Sequence, residues 1–139
     1  MPTTELRQKL IADITEMLPS PVITEEKNSD RKVTLIAGDP GEVVVTIGSG
    51  NISTAEFKVT WKGPCTPICT PRNLGKLKWK KIPEARLRAL LRELVCAAID
   101  VRRSKYRSCS YCQKANPPEW MHDDSVCQSC AERHLGVVH

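Results

Sequence analysis

The feature that most constrains this 139-residue chain lies near its end. Two Cys-x-x-Cys pairs, Cys109/Cys112 and Cys127/Cys130, are separated by residues 113 to 126. A thiolate is a soft ligand, and zinc takes four such ligands tetrahedrally. Two residues between a pair of cysteines let one tight turn present both sulfurs to a single ion, and a second such turn completes the shell. No position stays open for a substrate or a catalytic water. The expectation is one structural Zn2+ held by Cys109, Cys112, Cys127 and Cys130. Disulfides are the competing use of seven cysteines. The odd count, the regular spacing and an N-terminus (MPTTELRQKL) without an apolar signal core favour metal and a reducing cytoplasm. No run of about 18 apolar residues suggests a membrane span.

The charge is segregated. Residues 72 to 107 carry 12 Lys/Arg and 3 Asp/Glu, whereas residues 1 to 62 carry 7 and 9, and residues 108 to 139 carry 2 and 4. All the excess positive charge sits just ahead of the cysteine cluster, which points to an anionic partner more strongly than the net +5 does.

Periodicity divides the chain into an α+β domain, 1–105, and a metal module, 106–139. Thr3 or Thr4 caps a first helix whose apolar stripe is Leu6, Leu10, Ile11, Ile14, Met17 and Leu18; Pro19 and Pro21 end it. Residues 25 to 30 read as a polar loop. Three strands follow at Lys32–Ala37, Glu42–Ile47 and Thr54–Trp61. The turns between them are Gly38–Gly41 and Gly48–Asn51. In the third strand Phe57, Val59 and Trp61 alternate with Glu56, Lys58 and Thr60, which predicts that the first set is buried. The expected architecture is an antiparallel meander of three to four strands packed on the helix.

Gly63–Arg72, with three prolines, reads as a loop. Its Cys65 and Cys69 are either a second metal or redox pair or two loop thiols. Asn73–Lys81 has two readings, a short edge strand protected by lysines or a basic arm with Trp79 as a stacking platform. Pro83 opens the longest helix, which runs to about Arg103 with Leu87, Leu90, Leu91, Leu94, Val95, Ala98 and Val101 on its apolar face.

The cysteine module has the form of a knuckle at Cys109–Cys112, a short hairpin, and a helix that carries Cys127 and Cys130 in its first turn and stops at Gly136. It resembles the treble-clef zinc finger over about thirty residues, with a plain zinc ribbon as the alternative. The resemblance implies the four cysteines as ligands and leaves the function open, because treble clefs serve nucleic acids, ribosomes, ubiquitin and lipid head groups. The catalytic treble clefs, the HNH-type nucleases, need a His general base beside a catalytic metal. The interval between the pairs offers only His122, in His122-Asp123-Asp124, and lacks their Asp-His opening. The order helix, three strands, helix is similar to that of double-stranded-RNA-binding domains, which place a lysine cluster at the start of their last helix. Lys76, Lys78, Lys80 and Lys81 stand just before Pro83, but that family's Gly-Pro-His turn is absent.

The chain holds no phosphate-binding Gly loop and no nucleophile elbow, so the expected function is non-enzymatic. The first expectation is a nucleic-acid-binding protein, DNA or RNA, with contacts from Lys76, Lys78, Trp79, Lys80, Lys81, Arg88 and Arg92 and a second cluster at Arg102, Arg103, Lys105 and Arg107. The second is a protein-interaction adapter that docks through the zinc module and Pro117–Met121. A third, a thiol-based redox or metal sensor, would release zinc on oxidation.

Overall fold

Two helices lie on one face of an antiparallel sheet, and a small cysteine-bearing module follows the second helix. The computed structural model describes residues 3–27, 32–62 and 66–138, with side chains omitted at positions 3, 4, 27, 62 and 66. The first helix, α1, spans Thr3–Met17 and ends just before Pro19. Its Leu10 and Ile14, with Leu18 just beyond, turn into the core, while Leu6 stays largely exposed. The strands are β1 (Val22–Lys27), β2 (Lys32–Ala37), β3 (Val43–Ile47), β4 (Ile52–Glu56), β5 (Val59–Lys62), β6 (Thr66–Cys69) and β7 (Arg72–Leu77). Five of them form one sheet in the order β1-β2-β3-β4-β7, and β5 with β6 makes a separate two-stranded hairpin. A 3-10 turn at Trp79–Lys81 leads into α2, Glu84–Ser104.

Alternation in β2, β3 and β4 places Val33, Leu35, Ala37, Val43, Val45, Ile47 and Ile52 on the helix-facing side. There they pack with Leu10, Ile14, Leu87, Leu91, Val95 and Ala98. Fully burying each of the larger side chains stabilises the fold by about 1.5–3 kcal/mol. The ion pairs Lys9–Glu84 (2.6 Å) and Asp13–Arg88 (3.0 Å) run between α1 and α2.

The expected α+β order therefore holds, with four differences. The sheet is wider than three or four strands, because Val22–Lys27 pairs with β2 in register from Val22↔Ala37 to Lys27↔Lys32. Residues 25 to 27 thus belong to a strand; their Glu-Glu-Lys composition hides it, since an edge strand with a wet face needs little apolar residue. The strand expected over Thr54–Trp61 breaks after Glu56; Phe57 and Val59 are partly buried and Lys58 and Thr60 exposed, as expected, but Glu56 and Trp61 reverse the expected phase. Ile52, Thr54 and Glu56 face the core, while Trp61 is 46% exposed. The loop expected over 63–72 contains β6, paired with β5 from Val59↔Cys69 to Lys62↔Thr66; residues 63–65 lie outside the described residues. Among the described residues, seven strands between α1 and α2 also depart from the helix, three strands, helix order of the double-stranded-RNA-binding domain. The edge-strand reading of Asn73–Lys81 matches β7, which pairs with β4.

After α2 come a short pairing of β8 (Arg107–Ser108) with β9 (Ala115–Asn116), a 3-10 turn at Pro118–Trp120, and α3 (Gln128–Leu135). Gly136 adopts φ +69° at the end of α3, where a left-handed residue closes the helix at no steric cost.

Candidate metal centre and basic surface

The cysteine cluster is built by two turns facing each other. At the first, the amide of Gln113 donates to the Cys109 carbonyl (2.9 Å) and the amide of Cys109 donates to the Lys114 carbonyl (3.0 Å). At the second, Cys127 is the N-cap of α3 and Cys130 lies in its first turn, as the sequence suggests. The amide of Ser110 donates to the Ser125 carbonyl at 2.7 Å and ties the two turns together. Asp123 supports the second turn, with Oδ1 accepting the amides of Ser125 and Val126, both at 2.9 Å. That carboxylate is thereby engaged in the turn that precedes Cys127.

The four Sγ atoms all lie within 4.8 Å of one another. A tetrahedral shell with Zn–S bonds of about 2.3 Å has S–S edges of about 3.8 Å, so a small inward movement of the sulfurs closes the shell. Cys109, Cys127 and Cys130 are buried and Cys112 is partly buried, packed with Val126, Ala131 and Met121. The cluster is therefore a closed, four-thiol site that can hold a metal ion. Its sulfurs differ in proton affinity. Amide hydrogens of Cys127 and Cys112 directed at the Cys109 sulfur lower that thiol to about 6, against the opposing effect of burial. Burial pushes the Cys130 thiol up to about 12, helped by hydrogen bonding among the neighbouring sulfurs. His134 stacks on Tyr111, with ring centroids 4.6 Å apart. Cys69 is exposed in β6, and Cys65, the other cysteine of that segment, lies outside the described residues.

The basic segment divides into two parts. At the C-terminal end of α2, Arg102 is 2% exposed. Its Nε donates to the Gly41 carbonyl (2.9 Å), and its two terminal nitrogens grip both oxygens of Glu119, one at 3.1 Å. Arg103 donates to Glu42 (2.8 Å) and Lys105 to Glu56 (2.6 Å), and Arg72 lies 3.7 Å from Glu56. Arg102 is thus buried in an ion pair, and Arg103 and Lys105, although exposed, are each paired with an acid, contrary to their expected role as a phosphate-contacting cluster. Of that cluster, Arg107 alone is exposed with no acidic partner among the described residues. The acids that neutralise the others lie 17 to 61 positions away in the chain. Glu42 immediately precedes β3 and Glu56 ends β4, positions where an acid reads as solvent-facing. No local signal in the sequence identifies them.

At the other end of α2, Lys76, Lys78, Lys80 and Lys81 are all exposed, with no acidic partner among the described residues. Trp79 between them is only 6% exposed and donates Nε1–H to the Gly48 carbonyl at 3.3 Å. It is a core residue that fixes the β3–β4 turn, so the stacking-platform reading fails: the ring faces Leu10 and Leu87 rather than solvent. Lys80 Nζ lies over its ring, 5.7 Å from the centroid. Arg88 pairs with Asp13 and approaches Glu84, while Arg92 is exposed. In the segment expected to dock partners, Pro117 is fully buried, Met121 is partly buried against the cysteine cluster, and Trp120 is 46% exposed.

Among the described residues, no helix is long and apolar enough to cross a membrane. No family model, curated protein or solved structure matches this chain.

Proposed function

We propose that this chain is a small, zinc-stabilised, non-enzymatic binding protein that contacts nucleic-acid phosphates through Lys76, Lys78, Lys80 and Lys81. Zinc is the ion favoured by four thiolates in a closed tetrahedral set, which requires a reducing compartment such as the cytoplasm. The knuckle at Cys109–Cys112 and the second pair at the start of α3 support a treble-clef arrangement over a zinc ribbon, whose second pair would sit on strands. The observation that carries the nucleic-acid reading is that all four lysines are exposed with no acidic partner among the described residues. They lie within six residues on an edge strand and the turn after it. Exposed ammonium groups not neutralised by an acid are free to displace counterions from a phosphate backbone.

The test is binding of the zinc-loaded protein to labelled double- and single-stranded DNA and RNA across a salt series. Four phosphate contacts give a log–log salt slope of about −3 to −4 on duplex DNA. Replacing all four lysines with glutamine should weaken binding strongly and flatten its salt dependence. Equal binding by that variant, or none by the parent at low salt, refutes the reading. The exposed indole of Trp120, beside the cysteine cluster, favours a second reading as a protein adapter, which Trp120→Ala tests by loss of partner capture without loss of metal.

A further inference from the structure

We propose that Arg102 is a latch that couples metal occupancy of the cysteine cluster to the stability of the sheet domain. The proposal rests on the reading of the four cysteines as a metal site. Arg102 touches no ligand, so its role is one of positioning.

The path is continuous. Gln128 follows the ligand Cys127 in α3, and its Nε2 donates to the Glu119 carbonyl at 3.1 Å. Glu119 lies between the two cysteine pairs, so a bound ion restrains its loop from both ends. Its carboxylate is gripped by Arg102, and both side chains are nearly buried, at 3% and 10% exposure. Arg102 then reaches the sheet domain by its Nε–H to the Gly41 carbonyl at 2.9 Å. The guanidinium carbon lies 5.2 Å from the Phe57 ring centroid and 5.3 Å from that of Tyr106. The Phe57 ring covers Gly41 so closely that a Cβ there would fall 2.6 Å from it.

A buried guanidinium is tolerated because its carboxylate is fixed beside it; freeing the carboxylate leaves the charge uncompensated. Loss of the ion frees the Glu119 loop and so destabilises the Gly41–Phe57 end of the sheet. By linkage, weakening the latch weakens metal binding to the same degree.

The test uses full-length protein, zinc-loaded and chelator-stripped, with bound zinc counted in each sample. Backbone amide exchange is followed over residues 41–47 and 52–57. Stripping the parent should accelerate exchange there by about tenfold or more, the effect of unpairing a buried charge. In Arg102→Met the loaded protein should already exchange faster, and stripping should add little. Its zinc affinity, measured against a competing chelator, should fall about 10–100-fold, as for other residues that orient ligands without touching the ion. Glu119→Gln keeps the shape and removes the charge; it should behave likewise, and it carries the test if Arg102→Met does not fold. Equal exchange in loaded and stripped parent overturns the coupling. An undiminished response to stripping in the variants overturns the assignment to Arg102. A parent that takes up no zinc refutes the metal reading and the coupling with it, and the zinc count distinguishes that outcome from the other two.

Discussion

At its N-terminal end α2 begins beside Lys78, Lys80 and Lys81, whose ammonium groups meet solvent. At its C-terminal end, one 21-residue helix and so about 30 Å away, Arg102, Arg103 and Lys105 meet Glu119, Glu42 and Glu56. The two ends carry similar basic clusters in the sequence. Their surroundings differ: one faces open solvent, and the other faces the seam where sheet, helix and cysteine module converge. Local charge density therefore says little about a surface until the distant acids are located. A buried arginine also has a different energetic character from an exposed lysine, because removing its partner costs about 3–5 kcal/mol whereas an exposed pair contributes about 0–1 kcal/mol.

The comparison breaks first if the metal end does not depend on metal. Cys127→Ser should abolish zinc uptake and leave residues 107–138 without fixed structure, since structural zinc contributes about 10–16 kcal/mol in small zinc modules. Proton-nitrogen correlation spectra would show the α3 resonances collapse while those of α1 and β7 stay dispersed. If the resonances of α1 collapse with those of α3, the two ends form one cooperative unit and the contrast between them disappears.

Trp79→Ala sharpens the contrast from the other end. Removing a buried indole should cost about 3–5 kcal/mol in urea unfolding, with zinc affinity of the folded protein unchanged. Arg102→Ala should lower both stability and zinc affinity. A Trp79→Ala midpoint equal to the parent's would mean that the indole faces solvent.

The pH dependence of metal uptake tests the asymmetry within the cysteine cluster. Protons compete with the ion for sulfur, so affinity falls as pH falls. Cys109, lowered to about 6, holds no proton above that value and one below it. Cys130, raised to about 12, holds a proton throughout the neutral range and gives it up when the ion binds. Zinc affinity should therefore fall more steeply between pH 6 and 5 than between pH 8 and 7, the extra proton adding a factor approaching about ten per pH unit. Competition titrations at fixed pH check this, and a uniform slope would remove the distinction between the two sulfurs.

What is legible in the chain follows physical locality. The spacing of Cys109, Cys112, Cys127 and Cys130 encodes a turn geometry directly, and the four sulfurs do come together. The stripes Leu10/Ile14/Leu18 and Leu87/Leu91/Val95/Ala98 likewise encode helices and the faces they bury. Thr54 and Glu56 mislead because a polar residue on the core face breaks the apolar alternation that reveals a strand's phase. Glu56 is nonetheless buried, held by Lys105 from 49 residues away. Trp79 misleads because a single indole among lysines has no periodicity, and its partner, the Gly48 carbonyl, lies 31 residues away. Sequence pattern reports which face of an element is apolar; it does not report which charge meets which.

The smallest expected change in stability is at the lysine end, and there the proposed function is most exposed to refutation. Glutamine at positions 76, 78, 80 and 81 removes four solvent-facing charges that hold no internal acid among the described residues, so stability should shift by no more than about 0.5 kcal/mol. Nucleic-acid affinity should fall, and its salt dependence should flatten by about 0.9 in slope for each phosphate no longer neutralised. Arg103→Gln is the matched control. It removes a charge already held by Glu42, so it should change stability slightly and the salt slope not at all. If Arg103→Gln flattens the slope by about a quarter as much as the fourfold lysine variant, binding senses net charge alone and the two ends of α2 are equivalent to a polyanion. If only the lysine variant does, the phosphate surface lies at the end remote from the metal, and the cysteine module serves to hold the fold rather than to touch the partner.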